Sequence, residues 1–106
     1  MQKPFRRFEL LLPTKLNDDR PVPMEAFADT LLELEDRFGA VSSETQMIQG
    51  RWRHKGQLHC DELIRVFVDV PDTPENRQFF VEFKQRLKER FQQIDIWMTT
   101  YSVEVI

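Results

Sequence analysis

A chain of 106 residues has the length of one modest domain. Its 41% hydrophobic and 31% charged residues exclude a disordered chain. A formal charge of −3 and a pI near 5.4 exclude a global basic field for nucleic acid or anionic lipid.

At the N-terminus, Leu10 to Leu12 are the only apolar run and follow Glu9, too short a stretch for a secretory leader. No stretch approaches the roughly 20 apolar residues that span a bilayer. Cys60 is the single cysteine, which rules out an intrachain disulfide and suits a reducing compartment, so a cytoplasmic location is expected. One cysteine and two histidines leave little for a zinc site, and neither metal nor cofactor is expected.

Residues 5–12 alternate as a strand, with Phe8, Leu10 and Leu12 on one face and Arg7, Glu9 and Leu11 on the other. Pro13, Pro21, Pro23 and the Asn17-Asp18-Asp19 cluster mark 13–23 as a loop. From Met24 to Phe38 the period changes. Phe27, Leu31, Leu34 and Phe38 form one helical stripe, and Gly39 suits a left-handed C-terminal cap.

Residues 41–70 read as a β-hairpin that turns near His54-Lys55-Gly56-Gln57. Its second arm places Ile64, Val66, Val68 and Val70 on one face. His59, Asp61, Leu63, Arg65, Phe67 and Asp69 fall on the other. Cys60 is expected to face the helices as an inert small hydrophobe.

Next, Asp72 or Thr73 can cap a helix that begins at Pro74, with Glu75 complementing the helix start. Phe79, Phe83, Leu87 and Phe91 recur every four residues, flanked by Phe80 and Ile94. The final segment, 94–106, reads as a strand.

Phe80-Val81-Glu82-Phe83 matches the second half of the RNP1 octet of RNA-recognition motifs. That octet works because its aromatics protrude from a strand where bases stack. Here the same letters have helical spacing, and Asn76 and Arg77 stand where a basic residue and glycine belong. These phenylalanines are core residues.

The order βαββαβ predicts an α+β, ferredoxin-like single domain over 1–106. Its four-stranded antiparallel sheet has two helices on one face and strand order 4-1-3-2. The opposite, open face offers His59, Asp61, Arg65, Trp97 and Tyr101 as ligand-binding candidates. The competing reading is a solvated face with cross-strand ion pairs such as Glu9 with Arg65.

Catalytic residues are unknown: no G-x-S-x-G, P-loop or HExxH motif is present. Arg51, Trp52, Arg53 and Lys55 make 50–56 the most basic stretch, able to grip phosphate and stack a base. They equally suit a solvated hairpin in which Trp52 covers the core edge and arginines blunt an edge strand.

Gly50-Arg51-Trp52-Arg53, Gly56, Glu62, Val66-Phe67-Val68 and Lys88-Glu89-Arg90-Phe91-Gln92-Gln93 resemble a family of small bacterial proteins of unknown function. That family's pattern is a G-x-W hairpin, a Val strand and a helix closing in K-x-R-F-x-Q. The resemblance covers about half the chain and implies no activity.

Three functions compete at this point. The first is a homo-oligomeric interaction or regulatory module, a homodimer, with room for another protein partner. Its interface candidates are Phe67, Trp97, Tyr101, Val103 and Val105. The second is a dimeric ferredoxin-like barrel enzyme or small-molecule binder of the cofactor-free oxygenase type. The third is RNA binding through the hairpin. For the first, a loop from the same chain (residues 13–23) is the alternative cover for the final strand.

Overall fold

The computed structural model describes residues 4–106. Residues 1–3, part of the N-terminal stretch read above for a leader, lie outside the described residues. Among the described residues, five strands and two helices follow the order β1 (Phe5–Pro13), α1 (Met24–Phe38), β2 (Ser42–Ser43), β3 (Ile48–His54), β4 (Gln57–Pro71), α2 (Pro74–Arg90) and β5 (Trp97–Val103). The architecture is the ferredoxin-like βαββαβ, an antiparallel sheet with two helices.

Local chemistry marks the end of α1 and the start of α2. Gly39 closes α1 at φ 83°, its N–H bonded to the Glu35 carbonyl at 2.7 Å. Thr73 caps α2 by accepting the Asn76 N–H at 3.1 Å, and Pro74 takes the first turn. Phe91 ends it, followed by Gln92 at φ 50°.

The core lies between the helices and one sheet face. Phe8, Leu10 and Leu12 of β1 and Val66, Val68 and Val70 of β4 are buried, as their alternation requires. Phe80, Phe83 and Leu87 of α2 meet them, and Phe80 stacks on Phe8 with centroids 3.9 Å apart. Thr30 links the helices. Its hydroxyl donates to the Ala26 carbonyl at 2.7 Å and accepts from Arg90 at 3.0 Å, so the buried oxygen is satisfied.

The sheet departs from expectation at its second strand, which is split. The order runs β2-β4-β1-β5, with β3 also on β4, so β2 and β3 share the position expected for one strand. Ser43 pairs with Val66 and Ile48 with Leu63, so residues 44–47 bulge opposite Ile64 and Arg65. The hairpin turn itself is as expected: Lys55 and Gly56 have φ of 51° and 78°, the pair of positive values that a two-residue hairpin turn requires.

β1 stops at Pro13, opposite Leu63, while β4 begins at Gln57. The β3–β4 ribbon therefore runs beyond the rest of the sheet, and this overturns two side-chain expectations. Cys60 is exposed rather than packed on the helices. Trp52 covers no core edge: it is 47% exposed and stacks on His59 at 4.2 Å.

Two further expectations fail near the C-terminus. Ile94 is 84% exposed because α2 ends at Arg90, and the strand begins only at Trp97. The strand ends at Val103, which leaves Val105 beyond it. The 13–23 loop buries Leu16 and Val22 in the core and does not hide Trp97, which is 65% exposed.

Candidate functional site

On the open face the register decides which side chains meet. Arg7 stands opposite Asp69 on β4 and Tyr101 on β5; Glu9 lies between Phe67 and Thr99; Leu11 lies between Arg65 and Trp97. Three elements thus bring Arg65, Phe67, Trp97 and Tyr101 onto one surface.

The charged groups of this surface are spent on one another. Arg7 donates two hydrogen bonds to Asp69, at 2.7 and 3.0 Å. Arg65 donates to Glu9 and, at 2.7 Å, to Glu44; the Tyr101 hydroxyl donates to Glu9. Both guanidinium groups lie 4.4 Å from the Phe67 ring centre, so its faces are already occupied. The expected Glu9–Arg65 ion pair is present.

The titration of these groups follows from the contacts. The bond from Arg65 holds the Glu9 carboxyl below its ordinary range; desolvation opposes this, and Tyr101 adds to it. Glu9 raises the Arg65 pKa, and Asp69 raises that of Arg7. Glu9, Arg65 and Arg7 are thereby held as charges at neutral pH.

His59 and Asp61 do not join this network. They lie on the ribbon, where Asp61 accepts the Trp52 indole N–H at 2.6 Å and His59 stacks on the same ring. The ligand-binding candidates are therefore two groups: His59 and Asp61 around Trp52, and Arg65 with Tyr101 around Glu9. Trp97 stands at the margin.

Glu44 is a further member of this network. The bulge turns it toward Arg65, and no local pattern signals that, because a bulge depends on pairing register. Gly50 is explained by packing: a Cβ there would lie 3.1 Å from the Leu63 side chain.

Arg51, Arg53 and Lys55 form no ion pair among the described residues. Phe80 and Phe83, by contrast, are buried on α2 and offer no stacking platform. Labelled single-stranded RNA at physiological salt is expected to show no appreciable binding by fluorescence anisotropy. Micromolar binding that Arg51→Glu and Arg53→Glu abolish would contradict this. Among the described residues, no group of three His, Cys, Asp or Glu could hold a metal ion. None of their helices is long and apolar enough to cross a membrane.

The class of protein defined at this point is a fold class, ferredoxin-like α+β. No family model and no curated protein matches the sequence, so the resemblance to small bacterial proteins gains no family assignment. Solved structures share the fold. The divalent ion tolerance protein CutA1 from Ehrlichia chaffeensis is 7% identical with a TM-score of 0.65, over 100% of this chain and 87% of that one. A phage SAM lyase in complex with S-methyl-5′-thioadenosine is 14% identical with a TM-score of 0.65, over 99% and 92%. The GlnK–ATP complex of B. subtilis is 13% identical with a TM-score of 0.55, over 97% and 84%. Identities this low speak to the fold alone.

Proposed function

We propose that the protein is a small cytosolic homo-oligomeric interaction or regulatory module, acting as one domain over 1–106. It self-associates as a homodimer through β5, with the exposed side chains of that strand flanking the contact, and works without a catalytic site or cofactor of its own. The observation that carries this reading is the exposure of Trp97 (65%) and Tyr101 (44%) beside Leu11 and Phe67, on a face whose charges are already paired. Covering such aromatics removes apolar area from water at about 25 cal/mol per Å² and, with the ions satisfied, strands no charge. Val103 extends the row, and Val105 follows beyond the strand.

Light scattering after size exclusion is expected to give twice the 12.8 kDa chain mass. Trp97→Asp is expected to halve it or precipitate the protein. A monomer at high concentration with Trp97→Asp tolerated would overturn the reading.

A second reading, in which paired open faces enclose a small molecule, draws on two proteins of the same fold described with S-methyl-5′-thioadenosine and with ATP. Its residues on the open face are Arg65, Trp97 and Tyr101. Calorimetric titration with each compound tests it, and heat lost on Tyr101→Phe or Arg65→Met would support it.

A further inference from the structure

We propose that the outer edge of β5 pairs antiparallel with the same edge of a second copy of this chain, in a register that sets Thr100 opposite itself. This rests on the self-association proposed above and specifies its contact.

Among the described residues β5 has a single hydrogen-bonded neighbour, β1, and its outer edge pairs with none of them. Sheet edges exposed to solvent are ordinarily blunted by charges, proline or bulges, because an open ladder templates pairing with another chain. The edge at the other end of the sheet is protected in that way, with Arg51, Arg53 and His54 on β3. β5 reads Trp-Met-Thr-Thr-Tyr-Ser-Val, seven residues without charge, proline or glycine, rich in the side chains that favour strands. Nothing along it resists a partner strand.

The backbone parity fixes which groups are open. The Pro4 carbonyl accepts from the Asp72 N–H and the Thr14 N–H donates to the Glu62 carbonyl, so even-numbered positions at both ends of β1 turn toward β4. Odd-numbered β1 residues turn their backbone toward β5, where Arg7 pairs with Tyr101 and Glu9 with Thr99. The Arg7 carbonyl accordingly receives the Thr100 hydroxyl at 2.8 Å. Met98, Thr100 and Ser102 are left with N–H and C=O directed outward.

An antiparallel partner must match those three positions. Centring on Thr100 uses the full strand: Met98 faces Ser102 of the second copy, Thr99 faces Tyr101, and Trp97 faces Val103. Side-chain parity is kept, so the two open faces join into one surface and the Trp97 and Tyr101 rows meet across the seam. A second copy's β5 fits better than its β3, because Arg51 and Arg53 would find no carboxylate along β5, whereas β5 on β5 sets no charge against another.

The two-fold axis supplies the test. Thr100→Lys and Thr100→Glu each place like charges against themselves and are expected to weaken the dimer at least tenfold. An equal mixture of the two is expected to restore it as a one-to-one heterodimer by native mass spectrometry. Thr100→Val, which keeps the edge open, is expected to remain dimeric. Hydrogen exchange on the parent protein needs no variant: the amides of Met98, Thr100 and Ser102 are expected to be protected in the dimer and to lose protection on dilution. A parent dimer indifferent to Thr100→Lys, or one whose three amides exchange freely, would overturn this contact and leave self-association standing. A parent that stays monomeric would overturn both.

Discussion

Phe83→Ala is expected to destabilise the protein by about 3–5 kcal/mol, the cost of removing a buried aromatic and leaving a cavity. Phe83 has no exposed surface, and its ring meets Phe79 at 5.2 Å and Phe80 at 6.2 Å between centroids. Phe80 in turn stacks on Phe8, so the gap opens where α2 meets the sheet, at a site that cannot collapse without moving both layers. Against a total stability of roughly 5–15 kcal/mol, the loss leaves a marginal fold. In urea the midpoint is expected to fall by roughly 2 M, given slopes of about 1–3 kcal/mol per M for small proteins. Phe79→Ala serves as the comparison. That ring is half-buried under the Arg37 guanidinium at 4.3 Å and should cost visibly less. A midpoint unchanged by Phe83→Ala would mean an exposed ring and would reopen the RNA-binding reading.

The second large effect concerns the open-face network. Glu9→Gln is expected to cost about 1–3 kcal/mol at neutral pH, because hydrogen bonds to a charged partner are among the stronger ones and Arg65 would keep only Glu44 as an ionic partner. The pH dependence has a definite sign. Arg65 and Tyr101 hold the folded Glu9 pKa below the ordinary 4.5, so folded Glu9 is the more reluctant to take up a proton. Its contribution is present above about pH 4.5 and is lost as the pH falls through the lower, folded value. Asp72, held low by Arg77 and Arg6, contributes acid sensitivity of the same sign. The informative quantity is therefore the difference between parent and Glu9→Gln across urea titrations from pH 7 to pH 2. It should shrink on acidification below pH 4.5, and a constant difference would show that the charge of Glu9 contributes nothing.

Helix α1 runs from Met24 to Phe38, the span that its apolar stripe and Gly39 announce. The Lys55-Gly56 turn, the Thr73-Pro74 start and the alternation of Val66, Val68 and Val70 were equally plain. Each of these depends on a few consecutive residues: backbone conformation at a turn, a cap reaching three residues on, a period set by helix or strand geometry. The ferredoxin-like order followed by adding them up. What the sequence could not determine depends on where distant segments stop relative to one another. β1 ends at Pro13 while β4 continues outward to Gln57, and that length mismatch exposes Cys60 and leaves Trp52 to His59 and Asp61 instead of the core. The extra residues at 44–47 bring Glu44 to Arg65. The β1–β5 register brings Tyr101 to Glu9, partners 92 residues apart. Local composition told which residues prefer a strand; only the paired ladders, through register and strand length, decided which side chains share a face and which edge was left open.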